Sequence, residues 1–285
     1  MRYKYYFFEI HRPDLVEWLT QNGIKFTLDG GGCVPIYVNF ALWSTDTNIK
    51  EYLDHLSDMR INKPVVTAEY TATELSKAKL LMISSKRQCI EIVNSVDAYH
   101  YSCTWVNPYG IRKIQHAEPK ALFVINKEPS VTTKTAFWHE DTGLAEMFTD
   151  RRVKSLVLQN DFVGIDFKHV ILKGGEISQN IFQITSPNKL MKDQIAFGYG
   201  EKRLTCPICG KEQYFISSAY QLHLDFSRIK EQSDLYVTER IFGEGITYPT
   251  YVISQRFFQL IKENKLTGNL IISPVIDIAS KNTTV

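Results

Sequence analysis

Two stretches lying 104 residues apart repeat one order of signals. The first runs from Asp150 through Arg152, Leu156 and Asn160 to Gly164. The second runs from Ser254 through Arg256, Leu260 and Asn264 to Gly268, so each named residue superposes on its counterpart. Asp150 and Ser254 are residue types whose side-chain oxygens satisfy the orphan N–H groups at a helix start. Apolar residues at helical spacing follow, Phe257, Phe258, Leu260, Ile261 and Leu266 in the second copy. Phe162 falls on Leu266, and glycine then supplies the residue type that ends a helix. An apolar run follows each glycine, Ile165 to Leu172 and Asn269 to Val275, with Pro274 as the stop. The unit is therefore helix, glycine turn, strand. A fainter third copy spans Pro13 to Phe26. Such units also recur by convergence, so duplication and coincidence both remain open on these residues.

This pattern predicts an α+β protein with mixed sheets and amphipathic helices, in two related lobes joined by a turn-rich segment. The expected lobes are residues 1–175 and 176–285, with the joining turns within 173–205. Helices are expected over 47–59 and over 71–84. Gly30-Gly31-Gly32 has no Lys-Ser/Thr pair after it, so it reads as a tight turn rather than a phosphate loop. Hydrophobic residues make up 44% and charged residues 22%, enough apolar content for a sizeable core. A net charge of +2 gives no field that selects nucleic acid or an anionic membrane. Neither an apolar run of spanning length nor a signal-peptide pattern is present, so a cytoplasmic protein without membrane contact is expected. Five scattered cysteines argue against a disulfide framework.

The sharpest local chemistry is Cys206-Pro-Ile-Cys209-Gly, which matches one knuckle of a zinc ribbon: two thiolates on a tight turn. No second C-x-x-C is present to complete four ligands. His223 is the candidate third ligand, and a relic knuckle closed by hydrogen bonds is the alternative. An aromatic-acidic cluster, Trp138-His139-Glu140-Asp141, precedes the first repeat helix. Phe242 and Glu244 hold a similar place before the second. Aromatics beside carboxylates suit a partner-binding surface, while the default reading of such a stretch is a solvated loop with one buried aromatic. No G-x-S-x-G, H-E-x-x-H, phosphate-loop or dinucleotide motif occurs, so no catalytic residue is assigned.

The C-terminal stretch resembles bacterial polymorphic-toxin immunity proteins of the immunity protein eleven type and their double C-x-x-C-G relatives. The residues are Ser254, Arg256 to Ile261, Gly268, Ile271 and Pro274-Val275, with Cys206 to Gly210, Asp234 to Thr238 and Phe242 to Gly245 upstream. The chain departs from that pattern in carrying a single C-x-x-C-G. The resemblance implies a non-catalytic cytoplasmic protein that binds and neutralises a cognate secreted toxin. Trp138, His139, Glu140, Asp141, Phe242 and Glu244 are the expected contact residues, and zinc is the implied cofactor. The alternative is a metal-binding enzyme or nucleic-acid-binding module using the C-x-x-C region.

Overall fold

The structure is a computed structural model describing residues 2–278, apart from 32–33, 63, 87, 94–97, 107–112, 120–121, 142–144, 197–202, 215–221 and 244–246. It is an α+β protein with mixed and antiparallel sheets. Its compact units are Met1–Glu74 and, second, Leu75–Ile216 with Gln221–Val285. The division therefore falls at residue 74, not at the expected 175. A fold boundary there is invisible to turn composition, because helix α3 (Ala72–Lys77) runs across it.

The first unit has the order β1 (Arg2–Ile10), α1 (Pro13–Gln21), β2 (Phe26–Gly31), β3 (Val34–Trp43), α2 (Ile49–Asp58), β4 (Val65–Glu69). The strands form one antiparallel sheet in the order β2-β3-β1-β4, the split β-α-β arrangement. Strand alternation decides the faces. Phe7, Val38, Phe40 and Leu42 point to one side and join Leu15, Leu19 and Leu56 of the helices in a closed core. Pro13 opens α1, where its missing N–H costs nothing. The faint third repeat copy is thus an ordinary helix and strand of this unit.

The second unit contains the duplication in full. Its first half comprises β5 (Leu80–Ser85), β6 (Gln88–Ile90), β7 (Tyr99–Val106), β8 (Lys113–Pro119), β9 (Val124–Ile125), β10 (Phe137–Glu140), β11 (Met147–Asp150), α4 (Arg151–Gln159) and β12 (Asp166–Leu172). The second half comprises β13 (Ile177–Thr185), β14 (Lys189–Leu190), β15 (Ile195–Ala196), β16 (Arg203–Thr205), β17 (Glu212–Tyr214), β18 (His223–Leu224), β19 (Leu235–Thr238), β20 (Tyr251–Ser254), α5 (Gln255–Glu263), β21 (Leu270–Pro274) and β22 (Ile276–Asp277). One sheet has the order β6-β10-β11-β13-β12-β9 and the other β14-β19-β20-β5-β21.

Five strands of the first sheet correspond in order to the five of the second. β10 pairs with β11 as β19 pairs with β20, both antiparallel, with Trp138 opposite Phe148 and Tyr236 opposite Val252. Parallel partners, β6 and β14, flank them. β11 pairs with β13 as β20 pairs with β5: Phe148 faces Gln183 and Val252 faces Met82. β9 runs parallel to β12 at the edge of the six-stranded sheet, whereas its counterpart β18 runs parallel to β22 in a separate three-stranded sheet with β15. The first strand of each half therefore sits in the sheet of the other half. The halves are intertwined, not separate lobes. The turn at 173–176 is a tight hairpin, with Gly175 N–H bonding Leu172 O at 2.8 Å.

This exchange also corrects the helix expected over 71–84. Helix ends at Lys77, and Leu80–Ser85 is a strand lying between β20 and β21. Leu81 and Ile83 are buried in alternation, the period of a strand. Elsewhere Ile195–Ala196 pairs with β18, and β16 pairs with β17.

Helices α4 and α5 pack into one apolar core between the sheets, through Val153 and Val157 and through Phe257, Phe258 and Ile261. Asp150 accepts from the Arg152 and Val153 amides at 2.9 and 3.3 Å, and Ser254 from Phe257 N at 3.0 Å. Both helices then leave through a left-handed non-glycine residue, Asp161 and Lys265, again 104 apart. The glycines that follow sit where the other half's chain approaches. A Cβ on Gly164 would lie 1.9 Å from Ser233 Oγ, and one on Gly268 would lie 2.8 Å from Lys134 O.

Candidate metal centre

Each half carries a two-stranded hairpin at the same place in its order, after the parallel edge strand and before β9 or β18. In the first half it is β7–β8, in the second β16–β17. The knuckle forms the tip of the second. Cys206 N–H bonds Lys211 O at 2.8 Å, Gly210 N–H bonds Cys206 O at 2.9 Å, and Gly210 takes a φ of 73° that glycine tolerates.

The first hairpin brings two further metal-ligating residue types to the knuckle. Its register runs from Ser102 opposite His116 to Trp105 opposite Ile114, so one extra residue bulges on β7. Cys103, at that bulge, has a φ of 55°. The donor atoms of Cys103, His116, Cys206 and Cys209 all lie within 4.8 Å of one another. Cys209 Sγ is 3.4 Å from His116 Nδ1. Tetrahedral zinc with ordinary bond lengths puts such a sulfur and nitrogen about 3.6 Å apart, and two sulfurs about 3.8 Å apart. Three thiols and one imidazole fit zinc in number, softness and spacing.

Cys206 and His116 are buried, Cys103 is half-buried, and Cys209 is exposed at the knuckle tip. Burial pushes the His116 imidazole toward its neutral, ligating form, and Lys211 pushes it the same way. Burial works against the Cys209 thiolate, but the Lys211 amide and the thiols of Cys103 and Cys206 outweigh it and hold the pKa below the usual thiol range. The hydrogen bond with Cys209 raises Cys103. The Cys209 thiol thus loses its proton more readily than a free thiol does.

His223 is not part of this group. It lies in β18, between Ala196 and Ile276, where sheet pairing fixes it. The first hairpin brings Cys103 and His116 to the knuckle instead. Spacing of that hairpin about Asn107-Pro108-Tyr109-Gly110 was the available signal, because a strand on each side of the turn sets those two residues near each other.

Most of the expected contact residues are interior. Trp138 packs with Tyr99, Phe123 and Phe148 in a second core on the far face of the six-stranded sheet. Glu140 is fully buried, with one oxygen 3.3 Å from the Glu146 amide. His139 is largely buried, and Phe242 is fully buried and bridges to Tyr214 and Tyr248. Asp141 alone is exposed, accepting from Ile92 N at 3.2 Å. Glu244 lies outside the described residues. The six-stranded sheet is covered on both faces, with Phe137 in one core and Trp138 in the other, so Trp138 and Glu140 are buried rather than displayed to a partner, and so is Phe242.

Beside the metal centre a cavity of about 760 Å³ opens between the sheets, lined by Glu118, Gly210, Lys211 and Gln183 among others. Its floor is a buried polar network. Glu146 pairs with Arg240, accepts from Gln183 Nε2 at 2.8 Å and lies 3.3 Å from Tyr251 OH. Burial keeps the Tyr251 phenol protonated, and the Glu146 charge adds to this. Among the described residues, no helix is long and apolar enough to cross a membrane. No family model, curated protein or solved structure matches the chain.

Proposed function

We propose that Cys103, His116, Cys206 and Cys209 bind one zinc ion as a structural clasp in a non-catalytic, cytoplasmic immunity protein. The observation that carries the zinc reading is the four-ligand set. Protein side chains fill all four tetrahedral positions, leaving none for the water that a catalytic zinc activates. The ion would join the equivalent hairpins of the two halves, between which Lys211 and Glu118 also form an ion pair at 3.9 Å. The immunity reading is supported by the resemblance around Ser254 to Val275 and Cys206 to Gly210. In that reading the duplicated core is the scaffold, and the toxin meets a surface other than Trp138 and Phe242.

Two measurements test this. Native mass spectrometry of purified chain should give one zinc per protomer, and less than about a tenth of an equivalent would rule out the clasp, given the affinities of such sites. Co-expression with the toxin domain encoded beside this gene should restore growth. No rescue and no complex on size-exclusion chromatography would remove the immunity reading and leave the zinc reading standing.

A further inference from the structure

The first unit leaves one face of its sheet open. Lys4, Tyr6, Phe8 and Ile10 alternate onto that face from β1, and Tyr37, Asn39, Ala41 and Trp43 from β3. Phe8 is 60% exposed, Ile10 56% and Tyr6 41%. These are adjacent on the two central strands, so they form one apolar ridge and not scattered singles. Phe8 stacks on Tyr37 with centroids 4.5 Å apart. Trp43 is flanked by Arg2 at 4.4 Å and Lys4 at 4.7 Å, and Lys4 also covers Tyr6. A contiguous patch rich in Tyr, Trp, Phe and Arg is what protein interfaces use as a centre.

The charges on this face are polarised. Arg2 and Lys4 lie at one end, with Glu69 pairing Arg2 at 2.9 Å. Asp29 lies at the other, opposite Tyr37, and accepts from Asn39 at 2.5 Å. We propose that this face is an isologous dimer interface, each copy packing its ridge of Tyr6, Phe8, Ile10 and Tyr37 on that of a second copy. A two-fold axis lying in the interface plane, perpendicular to the strands, turns one sheet end over end, which brings the Lys4 end of each copy over the Asp29 end of the other. Sheets pack face to face in this way with interdigitated side chains.

Size fits a weak dimer. Four strands about 4.8 Å apart and β1 about 27 Å long give roughly 500 Å² per face, or about 1,000 Å² over both copies, near the lower limit for a specific interface. A phosphate backbone fits worse, because residues 1–74 hold seven Lys and Arg against ten Asp and Glu.

Sedimentation equilibrium of the full chain from about 1 to 100 µM at low salt tests this. The mass should rise from 32.9 kDa toward twice that value. Phe8→Glu should weaken association at least about tenfold, as expected for a charge buried at an interface centre. Lys4→Glu and Asp29→Lys should each weaken it, and the double variant should recover it, because the swap restores the pairing across the axis. Circular dichroism checks that each variant is folded. A monomer at every concentration overturns the proposal, as does a dimer that Phe8→Glu leaves intact. A monomer that instead captures a different protein through Phe8 also overturns it.

Discussion

The two halves of the second unit share the order of five sheet strands, their pairing senses and the helix placement, yet most of their side chains differ. Val153 and Val157 in α4 become Phe257 and Ile261 in α5. Met147 becomes Tyr251, and the Tyr251 hydroxyl accepts from the Met147 amide at 3.1 Å, so equivalent residues meet where the halves cross. Asp150 and Ser254 cap by the same geometry with different chemistry. Beside the shared Arg, Leu and Asn of the helix, what persists is what the backbone requires: a cap, a left-handed exit and a glycine under the other half's chain. The candidate metal ligands follow the opposite rule. The second hairpin gives two cysteines from its tip, and the first gives Cys103 and His116 from its paired strands. The site is therefore built by both halves and belongs to neither.

Removing ligands from either half tests that statement most forcefully. Cys206→Ser and His116→Ala should each drop zinc from about one equivalent to below a tenth and lower the stability of the second unit by about 5 kcal/mol or more. Plasma emission analysis and urea unfolding measure these. His223→Ala should leave zinc content unchanged. Full zinc retention in His116→Ala would assign the site to the knuckle alone and break the two-half description.

The shared glycines separate a clash from a backbone conformation. Gly164 has a φ of 73° and faces Ser233, whereas Gly268 faces Lys134 without a left-handed φ. Gly164→Ala bears overpacking plus left-handed strain, about 2–4 kcal/mol, and Gly268→Ala the overpacking alone, about 1–3 kcal/mol. Equal losses in urea unfolding would show that the φ difference is inconsequential.

How much of this was legible follows from where partners lie in the chain. The repeated cap, helix and glycine are local signals, and the 104-residue shift exposes them without knowledge of the sheets. β5 was misread because Leu80-Leu81-Met82 suits a helix by propensity. Its strand state is imposed by β20 and β21, about 170–190 positions away. Tertiary pairing overrides local preference there. The knuckle was legible from Cys206 and Cys209, but half of its ligands sit across a hairpin whose second strand, Lys113–Pro119, gave no clear local pattern. Trp138 and Glu140 read as a loop because an aromatic beside acids is common on surfaces, while β10 is in fact interior. The domain boundary left no mark at all, since a helix runs through it.

A subtler difference between the halves is electrostatic. His139 opposes Met147 in β10, and the equivalent residue in β19 is Val237, which opposes Tyr251. Burial holds the His139 imidazole down to about 4, because the cation loses its hydration and Nε2 has no hydrogen-bond partner among the described residues. In the unfolded chain the same group titrates near 6.5. Between those values the unfolded state holds the extra proton, so stability falls as the pH drops from about 6.5 toward 4 and levels off beyond either limit. The full loss is on the order of 3 kcal/mol at most. Placing the second half's residue in the first, His139→Val, should remove this slope while leaving stability at pH 7 little changed, since both side chains fit a buried strand position. His116 sits in the metal centre of both proteins, so the difference between their curves isolates His139. Urea unfolding at half-unit steps from pH 7.5 to 4 measures it. Parallel curves would mean that His139 gains a partner or solvent on protonation, and that burial does not separate the halves at this position.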